Sequence, residues 1–187
     1  MFERLAHTGQ SPRTMIIACS DSRVDPTMIF SAEPGELFIL RNVANLVPPY
    51  QPDLAFHATS AALEFAVRVL EVTDLIVMGH AMCGGIQVLL RGAPDPAGDF
   101  LVPWMRIAER AKRRALERAG DDPQSACEEE SVKLSLENLL TFPWIAERVA
   151  TRQLMLTGTI FDIRSGVLAM LKPDGNFAPV VMESGRV

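Results

Sequence analysis

Four short apolar runs set the frame of this chain: Thr14-Met-Ile-Ile-Ala18, Leu37-Phe-Ile-Leu40, Asp74-Leu-Ile-Val-Met78, and Leu154-Met-Leu156 continued by Ile160-Phe161. Each is too short for a helix and too apolar for a half-exposed strand, so each reads as a buried strand of a mostly parallel sheet. Helical patterns lie between them. Asp25-Pro26 is an N-cap followed by a first-turn proline, and it opens a short helix through Met28 and Phe30. From His57 to Leu70, Ala58, Ala61, Ala62, Phe65, Ala66 and Val69 recur at helical spacing, with Thr59 or Ser60 as cap. Cys83-Gly84-Gly85 opens a helix over Ile86–Leu90 that ends near Gly92. Strand and helix therefore alternate, which predicts an α/β fold. The expectation is a central mostly parallel sheet of about four strands, flanked by helices. The turn Asp162–Gly166 and the run Val167–Leu171 add an antiparallel edge strand.

The second half is mostly helical. Phe100–Ala119 is a long helical stretch whose outer face carries Arg106, Arg110, Lys112, Arg113, Arg114 and Arg118, read as a solvated surface. Gly120–Pro123 is a turn. Cys127–Leu140 is amphipathic, with Val132, Leu134, Leu136, Leu139 and Leu140 expected to be buried, and Pro143 starts a further helix through Val149. With 187 residues, no repeat and no linker, the chain reads as one domain over residues 1–187.

Composition narrows the function. A net charge of -5 argues against nucleic-acid binding. No apolar run approaches the roughly 18 residues that span a bilayer, and the first residues lack a signal core, so neither a membrane nor secretion is expected. Cysteines at 19, 83 and 127 are too few for a disulfide framework and suit a reducing, cytoplasmic setting.

Two of the strand ends carry the chemistry. One is Cys19-Ser20-Asp21-Ser22-Arg23 and the other is Gly79-His80-Ala81-Met82-Cys83-Gly84-Gly85. Cys19, His80 and Cys83 offer two thiolates and one imidazole, a donor set that suits zinc, one ion per chain. Three protein ligands with a position left over is the catalytic pattern, whereas structural sites close with four. The carboxyl ends of parallel strands are where open α/β sheets place their sites. Cys19 alone would read as a small core residue, and a lone His-x-x-Cys is a weak signal. Cys127 reads as a helix-face cysteine, and Met82 as a packing side chain.

Taken together, Cys-x-Asp-Ser-Arg, Arg41-Asn42-Val43-Ala44-Asn45 and Gly-His-x-x-Cys-Gly-Gly, in this order, resemble the β-class carbonic anhydrases. The likeness runs on through Thr59–Phe65, Ser135-Leu-Glu-Asn138 and Phe161-Asp-Ile163. It implies that Cys19, His80 and Cys83 are zinc ligands and that Asp21 and Arg23 form a catalytic dyad. In the family's open form the arginine holds the aspartate away from the metal, and in its closed form the aspartate ligates it. Gln10, in Thr-Gly-Gln-Ser-Pro, matches a glutamine that reaches substrate oxygen across a subunit interface in the open-site, plant-type subgroup. Phe38, Val43 and Phe65 match the apolar walls of the CO2 pocket, and Gly84 matches a substrate-binding position. The implied activity is reversible hydration of CO2 to bicarbonate by water that zinc acidifies to a pKa of about 7. A homodimer or dimer of dimers is expected. The family's helical arm before Gln10 is short or missing here. Hydrolysis of carbonyl sulfide or carbon disulfide on the same fold, and an inactive zinc-stabilised binding module, are the competing readings. His7 and His57 are proton-shuttle candidates by residue type only. Tyr50, after Pro48-Pro49, is expected at the site mouth or an interface.

Overall fold

The computed structural model describes residues 2–95, 98–118, 120 and 122–180. Pro96-Ala97, Ala119 at the end of the predicted helix, and Asp121 within the predicted turn lie outside the described residues. The strands are β1 (Thr14–Cys19), β2 (Leu37–Asn42), β3 (Asp74–His80), β4 (Met155–Asp162), β5 (Val167–Leu171) and β6 (Phe177–Pro179). They form one six-stranded sheet in the order β2-β1-β3-β4-β5-β6. The first four are mutually parallel, and β5 and β6 are antiparallel. The parallel core and the hairpin match the sequence expectation. Strand β6 is an addition to it, because three residues around a proline carry no readable period.

The helices are α1 (Phe2–Thr8), α2 (Pro26–Ile29), α3 (Ala58–Glu64), α4 (Gly84–Arg91), α5 (Leu101–Met105), α6 (Glu109–Arg118), α7 (Pro123–Leu139) and α8 (Pro143–Ala150). Asp25 caps α2 as its sequence predicts, accepting a hydrogen bond from the Met28 amide. Asp122 does the same for α7 through the Ser125 amide. The long helix expected from Phe100 onward is broken by a 3₁₀ turn at Arg106–Ala108 into α5 and α6. Its basic face is not simply solvated. Arg110 and Arg114 pair with Glu137 of α7, Arg118 pairs with Glu130, and Lys112 donates to the Leu89 carbonyl.

The helix after His57 turns a different face to the core from the one expected. A π turn over Phe65–Val69 succeeds α3, closed by Leu70 N–H to Phe65 O at 2.9 Å. The buried positions are Thr59, Leu63, Ala66 and Val67, which keep ordinary helical spacing but lie one step round from the expected stripe. Phe65 and Val69 are exposed, and neither Thr59 nor Ser60 caps the helix. On α7, Leu140 is likewise exposed and Leu136 only half buried, while polar Glu128, Ser131, Ser135 and Asn138 are buried.

Three apolar clusters hold the sheet. Met15, Ile17, Leu75 and Val77 pack one face against Leu63, Val67, Val132 and Ile145. Ile16, Ala18 and Met78 fill the other face. Cys19, Cys83, Ile86, Met105 and Cys127 form the third cluster, beyond the carboxyl ends of the strands. Helix α7 lies directly on the sheet. A Cβ at Gly79 would sit 2.6 Å from Val132 Cγ2, so this close approach requires the glycine that precedes His80.

Candidate metal centre

Strand β1 ends at Cys19, and β3 ends at His80 and turns into α4 through Cys83. The ligand atoms of Cys19, His80 and Cys83 lie within 4.8 Å of one another, and all three residues are buried. The two sulfurs are 3.9 Å apart and unbonded. Two thiolates at about 2.3 Å on a tetrahedral zinc stand about 3.8 Å apart, so the pair already has the spacing of two ligands on one ion. His80 Nδ1 lies 2.9 Å from the Ala81 carbonyl. That bond puts the ring proton on Nδ1 and leaves Nε2 with its lone pair toward the sulfurs. Nε2 is buried and has no hydrogen-bond partner, an arrangement that is costly unless a metal takes the lone pair.

The electrostatics agree. A hydrogen bond between the sulfurs leaves one proton shared by the pair, so the Cys19 thiol is pulled down and the Cys83 thiol pushed up. Burial raises both, and His80 further favours the Cys19 thiolate. The amides of Ile86 and Gly85, at the start of α4, favour a thiolate on Cys83. Burial alone would lower His80, and the Cys19 thiolate outweighs it. A divalent cation among these groups removes the conflict by displacing the shared proton.

Asp21 stands beside the ligands, with Oδ2 at 3.9 Å from His80 Nε2. Arg23 grips it with both arms, Nε to Oδ1 at 2.9 Å and Nη2 to Oδ2 at 2.7 Å, and the Arg23 amide adds a third bond at 3.0 Å. These bonds hold the carboxyl well below the usual range, so it is ionised at any working pH. Arg23 Nη2 also reaches the Met82 carbonyl at 3.1 Å, tying the two ligand loops together. Met82 is not a packing side chain: it is half exposed and sits at φ +59°.

Sequence reading gave Arg41 no role beyond its motif, yet it anchors the first loop. It donates to the carbonyls of Cys19, Asp21 and Val24 at 2.9, 2.6 and 2.7 Å. Asn42 closes the next turn by exchanging two bonds with the Leu46 backbone. That turn holds Ala44 at φ +61° and Asn45 at φ +47° and lies tight against α4. A Cβ on Gly85 would come within 2.9 Å of both Val43 Cγ1 and Ala44 Cβ.

A family model described as carbonic anhydrase matches residues 14–168. The chain belongs to the carbonic anhydrase family. Among known relatives, β-carbonic anhydrase 3 of Arabidopsis thaliana is 38% identical over 179 residues, covering 91% of this chain and 69% of its own. The solved structure of the β-carbonic anhydrase CcaA superposes with a TM-score of 0.88 at 34% identity, over 97% of this chain and 83% of that one. A structure from work on two tetrameric β-carbonic anhydrases of Sordaria macrospora gives 0.78 at 31% identity, over 95% and 87% of the two chains.

Among the site residues expected of a β-carbonic anhydrase, the fold gathers Cys19, His80, Cys83, Asp21 and Arg23, with Gly84 next in chain and Val43 facing Gly85. Phe38 and Phe65 stack on each other at 5.9 Å, and Phe38 belongs to the sheet core rather than to the ligand cluster. Gln10 is exposed and lies at the wrong end of the sheet for its own chain. Leu5, on the helix that precedes it, packs at Gly35 near the start of β2, and β1 then runs about 17 Å to Cys19. His57 pairs with Asp53 at 2.6 Å on the surface, and His7 sits exposed on α1, so neither is part of the ligand cluster. Tyr50 packs edge-on against Phe142 at 5.3 Å. Cys127 is fully buried on α7, outside the ligand set, and burial pushes its thiol up to about 11.

Proposed function

We propose that this β-carbonic anhydrase hydrates CO2 reversibly to bicarbonate and a proton at the Cys19–His80–Cys83 centre. The observation that carries the reading is the pair of sulfurs 3.9 Å apart beside an orphaned imidazole nitrogen, with an ionised Asp21 held against them by Arg23. Zinc, when bound there, supplies a Lewis acid that acidifies a water molecule near neutral pH. Asp21 accepts a hydrogen bond from the attacking water and aims its lone pair at the carbon of CO2. Arg23 keeps that carboxylate charged and turned away from the ligand position, which corresponds to the open arrangement. Val43, against Gly85, serves as apolar wall for a substrate with no charge to anchor, while the Phe38–Phe65 stack stands apart from the ligand cluster of its own chain. Gly84, exposed at the start of α4, offers its backbone amide as donor to a substrate oxygen.

Gln10 acts from a second copy. Its position at the amino-terminal side of the sheet makes a single chain incomplete, and this supports a homodimer, or a dimer of such dimers, as the catalytic unit. The exposed Phe65 and Val69, next to the stack with Phe38, offer apolar surface for that pairing. Three free cysteines support a reducing, cytoplasmic location. Among the described residues no helix is long and apolar enough to span a bilayer.

Stopped-flow CO2 hydration on zinc-loaded protein tests the reading. Asp21→Ala should keep one zinc per chain and lose about 10²–10⁴-fold in kcat/KM. Full activity in zinc-free protein, or full activity in Asp21→Ala, would overturn it. A preparation that turned over carbonyl sulfide faster than CO2 would transfer the same site to the competing hydrolase reading.

A further inference from the structure

Helix α7 places two polar side chains, one turn apart, against the second ligand loop. Glu128 is only 5% exposed, on a helix whose Cys127 and Leu134 belong to the same apolar cluster as Cys83 and Ile86. Burying a carboxyl there is costly, and burial pushes it up from its ordinary value. What offsets the cost is a pair of hydrogen bonds accepted by one carboxyl oxygen. Glu128 Oε1 accepts from the Cys83 amide at 2.8 Å and from Gln124 Nε2 at 2.6 Å. Gln124 Nε2 also donates to the Cys83 carbonyl at 3.0 Å. The N–H and the C=O of one metal-ligating cysteine are thus both held from a helix 41 and 45 residues away in sequence.

Cys83 is the N-cap residue of α4, in extended geometry at φ −68° and ψ 121°. Its amide lies before the helical ladder, and the residue is 2% exposed, so without Glu128 it would be a buried donor with no partner. The two bonds also oppose rotation about the Cys83 backbone, and that rotation swings Sγ out of register with Cys19 and His80. Met82, just before, is held at its carbonyl by Arg23 Nη2 at 3.1 Å, a solvent-exposed bond, and its side chain is half exposed. The Ala81 amide ties the start of the loop to the Phe161 carbonyl at 2.9 Å, and the buried hold on its Cys83 end is the clamp on α7.

We infer that Glu128 and Gln124 are positioning residues for the metal centre, acting through the Cys83 backbone to hold its sulfur in ligating geometry. The inference rests on the metal-centre reading above. Groups that orient a metal ligand cost about 10–100-fold in metal affinity when removed. Only an acceptor oxygen is needed where Glu128 sits, so Glu128→Gln, whose amide oxygen replaces Oε1, retains the function.

The test is zinc affinity by chelator competition on the full chain, together with the visible spectrum of the cobalt(II)-substituted protein. Glu128→Ala should lose about 10–100-fold in zinc affinity and shift the cobalt ligand-field bands. Glu128→Gln should restore both. Gln124→Ala, which removes only the outer half of the clamp, should move both readouts in the same direction by less, and it decides the matter should Glu128→Ala fail to fold. Glu137→Ala is the control for general weakening of α7, since Glu137 lies on the same helix, pairs with Arg110 and Arg114 of α6 and touches no ligand loop. Unchanged affinity and spectrum in Glu128→Ala, or in Gln124→Ala where only that variant folds, would overturn the inference. So would equal losses in Glu137→Ala. A wild-type protein that takes up no zinc would instead overturn the metal-centre reading itself.

Discussion

The two halves of the metal centre are held by opposite chemistry. The loop from Cys19 to Val24 leaves a parallel strand at its carboxyl end and presents carbonyls, and a cation, Arg41, gathers three of them. The loop from His80 to Cys83 leads into the start of a helix and presents an amide, and a carboxylate, Glu128, receives it. A strand end offers acceptors where a helix start offers donors, so each half recruits the charge its backbone can bond. The clamps also differ in origin. Arg41 comes from the neighbouring strand β2, in register with Ala18, while Glu128 comes from a helix lying across the sheet. Arg23 joins the halves by bonding Asp21 of one and the Met82 carbonyl of the other.

Removing the cation should do the most damage. Arg41→Ala strips three buried or half-buried carbonyls of a charged donor, each such bond contributing about 1.5–3 kcal/mol. Partial access of water reduces the sum, and a loss of about 3 kcal/mol in urea unfolding is expected. A loss under about 1 kcal/mol would mean that the first loop holds itself. Pressing the halves apart comes next. Gly85→Ala drives a methyl into Val43 and Ala44 at 2.9 Å, an overpacking cost of about 1–3 kcal/mol. CO2 hydration should fall with it, whereas Gly84→Ala, where an added Cβ meets nothing within 4 Å, should unfold like the parent. The smallest effect lies in the second loop. Met82→Gly removes the strain of a left-handed residue, about 1 kcal/mol, against a similar gain in unfolded-chain entropy. The metal-free protein should shift by less than about 1 kcal/mol, and a larger loss would show that the Met82 side chain, not its carbonyl, matters to the loop.

Much of the site was legible before folding. The strand runs, the N-cap at Asp25, the proline at the start of α8 and the Cys/His/Cys set are all local patterns, and local patterns survive into the structure. What escaped was long-range. The helix after His57 carries apolar residues on two adjoining stripes at the same period, and only packing against Met15, Ile17 and Leu75 of the sheet selects Leu63 and Val67 over Phe65 and Val69. The basic face of α6 looked solvated, since its acidic partners lie on α7 beyond a turn. Glu128 left one faint trace: an acidic residue beside Cys127, one turn after Gln124, on a helix whose other neighbours are buried.

The sequence by itself determined which residues end the strands, and thereby which donors meet. The period of a strand and the start signal of a helix are written within a few residues, and Cys19, His80, Cys83, Asp21 and Arg23 all sit at such points. The tertiary structure alone decided what holds them still. Arg41, Gln124 and Glu128 act on backbone groups that every residue carries, so nothing in the partner's identity announces the bond. The same structure set Gln10 a strand's length from its own metal centre, because chain neighbours at the two ends of a parallel strand lie on opposite sides of the sheet.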